Sequence, residues 1–375
     1  MLGMSFPGSF LPLLAKDLDP SEALVGLVVS AWFISRIFIE LPMGIISDRI
    51  GRRKLFLVGI GLSVLGAFLC AQAGTIYVLI LGRSVWGLGA GLFFMNNTAL
   101  VIDLFESEAR GRALGLFNGI ELLGSVVGAP IGAFLVGVLG YYSNVFYVTL
   151  VLVLISLILA LTSKSFKAVK EKSKSDPHLS VKETLMGLQN GGILTICRYT
   201  FTHMLIMTGI FSTILPLYFS YNLFFSLEYT SLVLSARIFG NIIAALSSGF
   251  LSDRFGRKSI VAIGFTITAL FLFLFIVNSS LEVFLVVAFF ESFGESLAAN
   301  TLIVILFDIA PLSIRGGAIG LQRTFMDAGG FVGPIAFMLI YTNFGSHIAI
   351  LVGVGIKVLD IVLLVLMRKK LILKT

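Results

Sequence analysis

The chain has 375 residues, of which 57% are hydrophobic and 13% charged, and its formal net charge is +7. Soluble domains carry about 25% charged and about 45–50% apolar residues, so these figures exclude a soluble enzyme, a disordered tail and a coiled coil. A basic balance can mark a nucleic-acid partner, but a mean hydropathy of +1.03 leaves too much apolar surface for water, so lipid is the solvent.

A hydrocarbon core of about 30 Å takes about 20 apolar residues per helix. In chain order the apolar runs predict spans near 1–15, 22–47, 55–73, 76–103, 112–139 and 143–163. A second set falls near 191–221, 228–251, 259–277, 282–310, 315–341 and 346–367. Long runs broken by Gly and Pro suit helices, whereas barrel strands alternate at period two. The expected fold is therefore an all-α membrane protein of twelve spans. The first run stops at Lys16, short of the about 17–25 residues usual for a span. It lacks the charged start and cleavage site of a signal peptide, and the expectation is a chain that begins late within its first span.

Twenty of the 27 Lys and Arg lie in alternate loops and at the C-terminus, whereas the intervening loops hold only Lys16. The positive-inside rule makes those basic loops cytoplasmic, with both termini inside a cell membrane crossed many times. Cytoplasmic segments then carry 20 bases and 9 acids, outer segments 1 and 5, and the spans 6 and 6. The excess of positive charge is an orientation signal, and no nucleic-acid partner is implied. The polar stretch 164–190 reads as a cytoplasmic linker between two bundles, 1–163 and 191–375. Cys70 and Cys197 sit in apolar runs and read as small core residues; no metal, cofactor or disulfide framework is implied.

The two bundles repeat. Gly44 to Arg53 (GIISDRIGRR) recurs as Gly249 to Lys258 (GFLSDRFGRK), at an offset of 205. The same offset carries Asp103 onto Asp308, Arg110-Gly111 onto Arg315-Gly316, and Gly124 and Gly128 onto Gly329 and Gly333. Two parallel six-helix halves place a transported solute at the interface between them. Gly44 permits close helix approach and Gly51 a tight turn. Asp48 can accept hydrogen bonds at a helix terminus or pair with arginine.

These residues closely resemble the major facilitator superfamily over nearly the whole chain, with motifs nearest its proton-coupled drug and solute antiporters. The resemblance implies a conformational latch built from Gly44, Asp48, Arg49, Gly51, Arg52, Arg53 and Asp103, echoed by Asp253, Arg254, Arg257 and Asp308. The plainer alternative is a topology signal with a fixed turn. Arg83, in Arg83-Ser84-Val85-Trp86-Gly87-Leu88-Gly89, matches an arginine that the family associates with proton coupling; its plainer role is to satisfy a buried carbonyl or carboxylate. Gly124 to Gly132 approximates the antiporters' glycine-proline signature, but Ala129 displaces Pro130 by one position. An intact Gly333-Pro334 stands in span 11.

A charge inside a span costs at least about 2.5–3.5 kcal/mol, so each needs a reason. Three local pairs, Arg36 with Glu40, Arg323 with Asp327 and Lys357 with Asp360, have spacings that put both members on one face. Mutual neutralisation is expected for them, and the resemblance marks Lys357 and Asp360 as peripheral. Glu291 and Glu295 differ, being like charges four apart with no base between them. Repulsion and desolvation make one a candidate proton carrier unless Arg237 or Arg198 neutralises it. Glu121 lies near the middle of span 5, with Arg83 as a candidate partner. His203 titrates in the neutral range when unperturbed, although a lone membrane histidine serves equally to hydrogen-bond a neighbour. Asn96 and Asn97 either line a cavity or bond between helices. Arg83, Glu121, Glu291, Glu295, Asp327, Arg237, Asn96 and Asn97 thus form the candidate coupling or substrate set.

The expected function is secondary transport of a small organic solute by alternating access, as proton-coupled efflux by a monomer. Uptake symport of a sugar, carboxylate or other metabolite is the alternative, and a transport-inactive sensor of the same fold the second. No nucleophile–base constellation, histidine-rich metal site or nucleotide loop supports an enzyme or an ATP-driven pump.

Overall fold

The structure, a computed structural model, describes residues 2–19, 21–105, 107–163, 166, 190–278, 280–311 and 315–366. It divides into two compact units, Met1–Ser180 and Val181–Thr375. Almost all of the linker read at 164–190 lies outside the described residues.

Described helices fall at all twelve predicted positions, and no strand occurs among the described residues. The first unit runs α1 (Leu2–Ser5), a 3-10 turn at Phe6–Ser9 and α2 (Leu11–Leu18), which together take the first position. It continues with α3 (Glu22–Ile50), α4 (Arg52–Ala71), α5 (Ile76–Leu104), α6 (Ser107–Leu139) and α7 (Tyr142–Thr162). The second begins with α8 (Gly191–Ile206), which continues through π-helical turns at Met207–Ile214 and Tyr218–Asn222. Then come α9 (Leu227–Phe255), α10 (Arg257–Leu274), α11 (Leu281–Ile309) and α12 (Arg315–Leu366), the last broken at Gly345 into the two final spans. Among the described residues, eight helical stretches are long and apolar enough to cross a membrane, the broken α12 counting as one of them.

Glycine explains both the turns and the tightest packing, and it does so twice. Gly51 (φ 101°) and Gly256 (φ 86°) turn the chain between helices where a side chain would be strained, as do Gly140 (φ 77°) and Gly345 (φ 82°). Both pairs obey the offset of 205. So does one close helix crossing: a Cβ on Gly59 would lie 2.8 Å from the Gly89 carbonyl, and one on Gly264 2.6 Å from that of Gly294. Lipid tails supply no hydrophobic drive between helices, so such close backbone approach is what holds α4 to α5 and α10 to α11.

The π-helical turns of α8 have a local cause. Pro216 lacks an N–H and its ring crowds the carbonyl four residues back, so the ladder widens around it. Hydroxyls take up the slack at a spacing of five residues, Thr213 donating to the Thr208 carbonyl at 2.8 Å and Ser212 to that of Met207 at 3.3 Å. The core of the second unit gathers Ile196, Tyr199, Phe265, Leu302 and Leu364 from α8, α10, α11 and α12. Phe211, Phe219, Phe275 and Phe284 are fully buried, whereas Phe38, Phe134, Phe224 and Phe250 stand out from the protein, as lipid-facing rings do.

Candidate functional site

The second unit buries its charges together. On α8, Arg198, Thr202 and His203 lie four and five residues apart, on one side of the helix. α11 presents Glu291 and Glu295 one turn apart, α9 brings Arg237, and the last limb of α12 brings Lys357 and Asp360. Lys357 and Asp360 are completely buried, and Arg237, Glu291 and Glu295 nearly so.

Each acid has its own bases. Arg237 straddles Glu291 Oε2, with Nε at 3.0 Å and Nη2 at 2.9 Å. Its Nη1 meets Met207 Sδ at 3.0 Å and its guanidinium carbon lies 3.4 Å from the Phe211 ring centre, so two side chains of the widened α8 hold it from below. Glu295 Oε1 is shared between Lys357 Nζ at 2.7 Å and His203 Nδ1 at 2.5 Å. Asp360 receives Arg198 Nη1 at 2.7 Å on Oδ1 and the Thr202 hydroxyl at 2.9 Å on Oδ2. Lys357 Nζ stands 3.8 Å from Asp360 Oδ2, which joins the two groups into one chain. Three carboxylates therefore face three fixed cations, and the protonation of His203 sets whether the cluster sums to zero or to +1. Arg198 and His203 keep 30% and 27% of their side-chain surface accessible, so the cluster is open along α8.

Several sequence expectations change here. Glu291 and Glu295 are not a mutually repelling pair left without bases: Arg237 neutralises the first, while the second is held by His203 and Lys357. Lys357 and Asp360 are not peripheral, because each reaches across to another helix. Arg323 and Asp327 do not pair; Arg323 is exposed and Asp327 fully buried. Glu40 lies among side chains outside the described residues, so the Arg36 pair is not seen; buried Arg36 instead rests 4.7 Å over Trp32 and 5.5 Å from Phe94. His203, Lys357, Asp360 and Arg198 join the site although the candidate set omitted them. The signal that could have found them was two charged positions three apart deep in span 12, one turn from the next.

Among the described residues, the first unit shows no matching cluster. Applying the offset of 205 to Arg237, Glu291, Glu295, Lys357 and Asp360 gives Trp32, Trp86, Ala90, Leu152 and Ile155. Arg83 lies 5.6 Å from the Trp86 ring and forms no ion pair with Glu121, which stands half-buried on α6. Asn96 turns its amide back to the Leu92 carbonyl of its own helix at 2.8 Å, so that donor makes no bond between helices. Asn97 is buried beside it.

The repeated loop motif is visible in one copy. Arg257 pairs with Asp308, joining the start of α10 to the end of α11. Asp253 and Arg254 are exposed nearby, Arg254 5.4 Å over the Phe255 ring. In the other copy Gly44, Asp48, Arg49 and Asp103 have side-chain positions outside the described residues. Gly51 makes the turn, Arg52 is half-buried, and Arg53 lies 5.5 Å from the Phe166 ring.

A model of the Major Facilitator Superfamily matches residues 1–223 and 199–371 of the chain. The Quinolone resistance protein NorA of Staphylococcus aureus (strain MRSA252) is 25% identical over 369 residues, covering 97% of this chain and 92% of that protein. The Multidrug resistance protein MdtL of Klebsiella pneumoniae (strain 342) is 32% identical over 137 residues, covering 36% of this chain and 35% of that protein. The nucleoside transporter NupG superposes with a TM-score of 0.77 at 17% identity, over 98% of this chain and 96% of that one. The human organic anion transporter MFSD10 (TETRAN) gives 0.68 at 16% identity, over 97% and 95%. These two structures share the fold.

Proposed function

This chain belongs to the Major Facilitator Superfamily, and we propose that it is a proton-coupled exporter exchanging a small organic solute for protons by alternating access. It is a multi-pass membrane transporter; the basic loops support a cytoplasmic membrane with both termini inside. The likeness to a quinolone resistance protein along nearly the whole chain supports efflux. The observation that carries proton coupling is Glu295, a buried carboxylate that shares one oxygen between His203 and Lys357. A carboxylate held by a lysine and a histidine can pass a proton to the imidazole without leaving a lone charge in the membrane. Arg237 and Glu291, paired one to one, brace the same helix. The displaced Pro130 favours the second reading, proton-coupled uptake.

Reconstituted vesicles with an imposed pH gradient test the proposal. Solute and protons moving in opposite directions support exchange, and movement in the same direction supports uptake. No solute-linked proton flux with any solute would overturn coupling and favour a sensor. Glu295→Gln should stop gradient-driven transport, and a variant that pumps normally would place the proton elsewhere.

A further inference from the structure

Two polar atoms groups remain open at the ends of the buried chain of charges. Arg198 gives Nη1 to Asp360, yet its Nε and Nη2 are buried and have no hydrogen-bond partner. Those two N–H groups form the side-on edge of a guanidinium, the fork that matches a carboxylate bidentately. Asp360 and the Tyr199 ring, 4.1 Å from the guanidinium carbon, fix the plane of that fork. At the other end, Glu295 commits only Oε1, and its buried Oε2 has no partner. Leaving a buried charged atom without a partner is costly. A donor edge and an acceptor oxygen left so within one cluster ask for a ligand of opposite charge at each.

We propose that this cluster binds a spaced zwitterion, its carboxylate on the Arg198 fork and its ammonium on Glu295 Oε2. The inference rests on the transporter reading and adds the class of solute. Arg198 and His203, which holds Glu295, are five residues apart on α8, a rise of about 7.5 Å. A donor edge on α8 and an acceptor oxygen on α11 suit an amphoteric compound with its acid and amine at opposite ends. Binding also accounts for exchange: the ammonium takes up the negative charge of Glu295 that His203 and its proton otherwise serve. Around the ammonium stand His203 of α8, Arg237 of α9, Glu291 and Glu295 of α11, and Lys357 and Asp360 of α12, so proton and ammonium compete for one carboxylate.

Binding to the purified full-length chain is to be measured by ligand-induced thermal shift, apart from transport. The probes are a quinolone carboxylic acid bearing a piperazine, its methyl ester and its N-acetyl derivative, with an aromatic ω-amino acid and the same two derivatives as a second scaffold. On at least one scaffold the zwitterion should bind about tenfold more tightly than either derivative. Arg198→Lys, which keeps a cation beside Asp360 but loses the fork, should erase the difference between acid and ester. Glu295→Gln should erase the difference between amine and N-acetyl derivative. If neither zwitterion outperforms its derivatives, including the case where nothing binds, or if Arg198→Lys keeps the full acid preference, the proposal is overturned, whatever proton-driven exchange of other solutes survives. Zwitterion-selective binding by a chain that moves no protons would uphold it and sink the exchange reading instead.

Discussion

Lys357 Nζ lies 2.7 Å from Glu295 Oε1 and 3.8 Å from Asp360 Oδ2, so its nearest acid stands on another helix and its neighbour on α12 comes second. Coulomb attraction weakens with separation, and the contact at 2.7 Å is also a charge-assisted hydrogen bond. Lys357 therefore ties the last limb of α12 to α11 in the interior of the unit.

Breaking one member of a buried pair is more harmful than replacing both, because the survivor is a lone buried charge. Lys357→Met should lower the unfolding free energy of the detergent-solubilised protein by about 3–5 kcal/mol. Lys357→Met combined with Glu295→Gln should recover at least half of that loss. A single variant as stable as the parent would show that the pair does not hold the helices.

His203 decides the sum of the cluster. With His203 neutral the three acids and three fixed bases cancel; a proton on His203 raises the sum to +1. Wild-type transport should accordingly depend on pH. His203→Gln removes the imidazole, and the pH profile of solute exchange in vesicles should flatten. A profile unchanged in His203→Gln assigns the proton elsewhere.

What the sequence disclosed and what it hid divide along a physical line. The spans, the turns at Gly51 and Gly256 and the duplication follow from one-dimensional patterns of apolarity, charge and glycine. The offset of 205 reaches further than the loop motifs, to Gly140 with Gly345 and to the crossings at Gly59 with Gly89 and Gly264 with Gly294. The pairing of charges did not follow, because a spacing of three or four residues compares only partners on one helix. Arg323 and Asp327 satisfy that spacing without pairing. Lys357 and Asp360 satisfy it too, yet their shorter contacts go to Glu295 and Arg198, 62 and 162 residues away. Partner choice across helices is set by packing.

The duplicated crossings should respond alike. A Cβ at Gly264 would meet the Gly294 carbonyl at 2.6 Å, and one at Gly59 the Gly89 carbonyl at 2.8 Å, where the obstacle is backbone and cannot swing away. Gly264→Val and Gly59→Val should each lower stability by at least the about 1–3 kcal/mol typical of overpacking. Valine at Gly61, where a Cβ meets nothing within 4 Å, is the control. Melting temperatures in one detergent compare all three.

Arg257 and Asp308 join α10 to α11 at the membrane edge, at positions the repeat equates with Arg52 and Asp103. Charge reversal at either one, Arg257→Asp or Asp308→Arg, should reduce transport in vesicles severalfold by setting like charges together. The double exchange restores attraction and should recover most of the rate. Equal loss in the single and double variants would make the pair incidental.

Arg237 is held on two sides, by Glu291 through two N–H groups and by the Phe211 ring 3.4 Å from its guanidinium carbon. Phe211 and Met207 both belong to the π-helical turn of α8, so this contact ties the widened helix to α9 and α11. A desolvated cation over an aromatic face is worth about 2 kcal/mol. Phe211→Leu keeps an apolar side chain of similar reach but removes the ring, and should cost about that much in unfolding free energy. Phe211→Tyr keeps the face and should lose far less. Equal melting temperatures for the Leu and Tyr variants would mean that Phe211 serves by filling space alone.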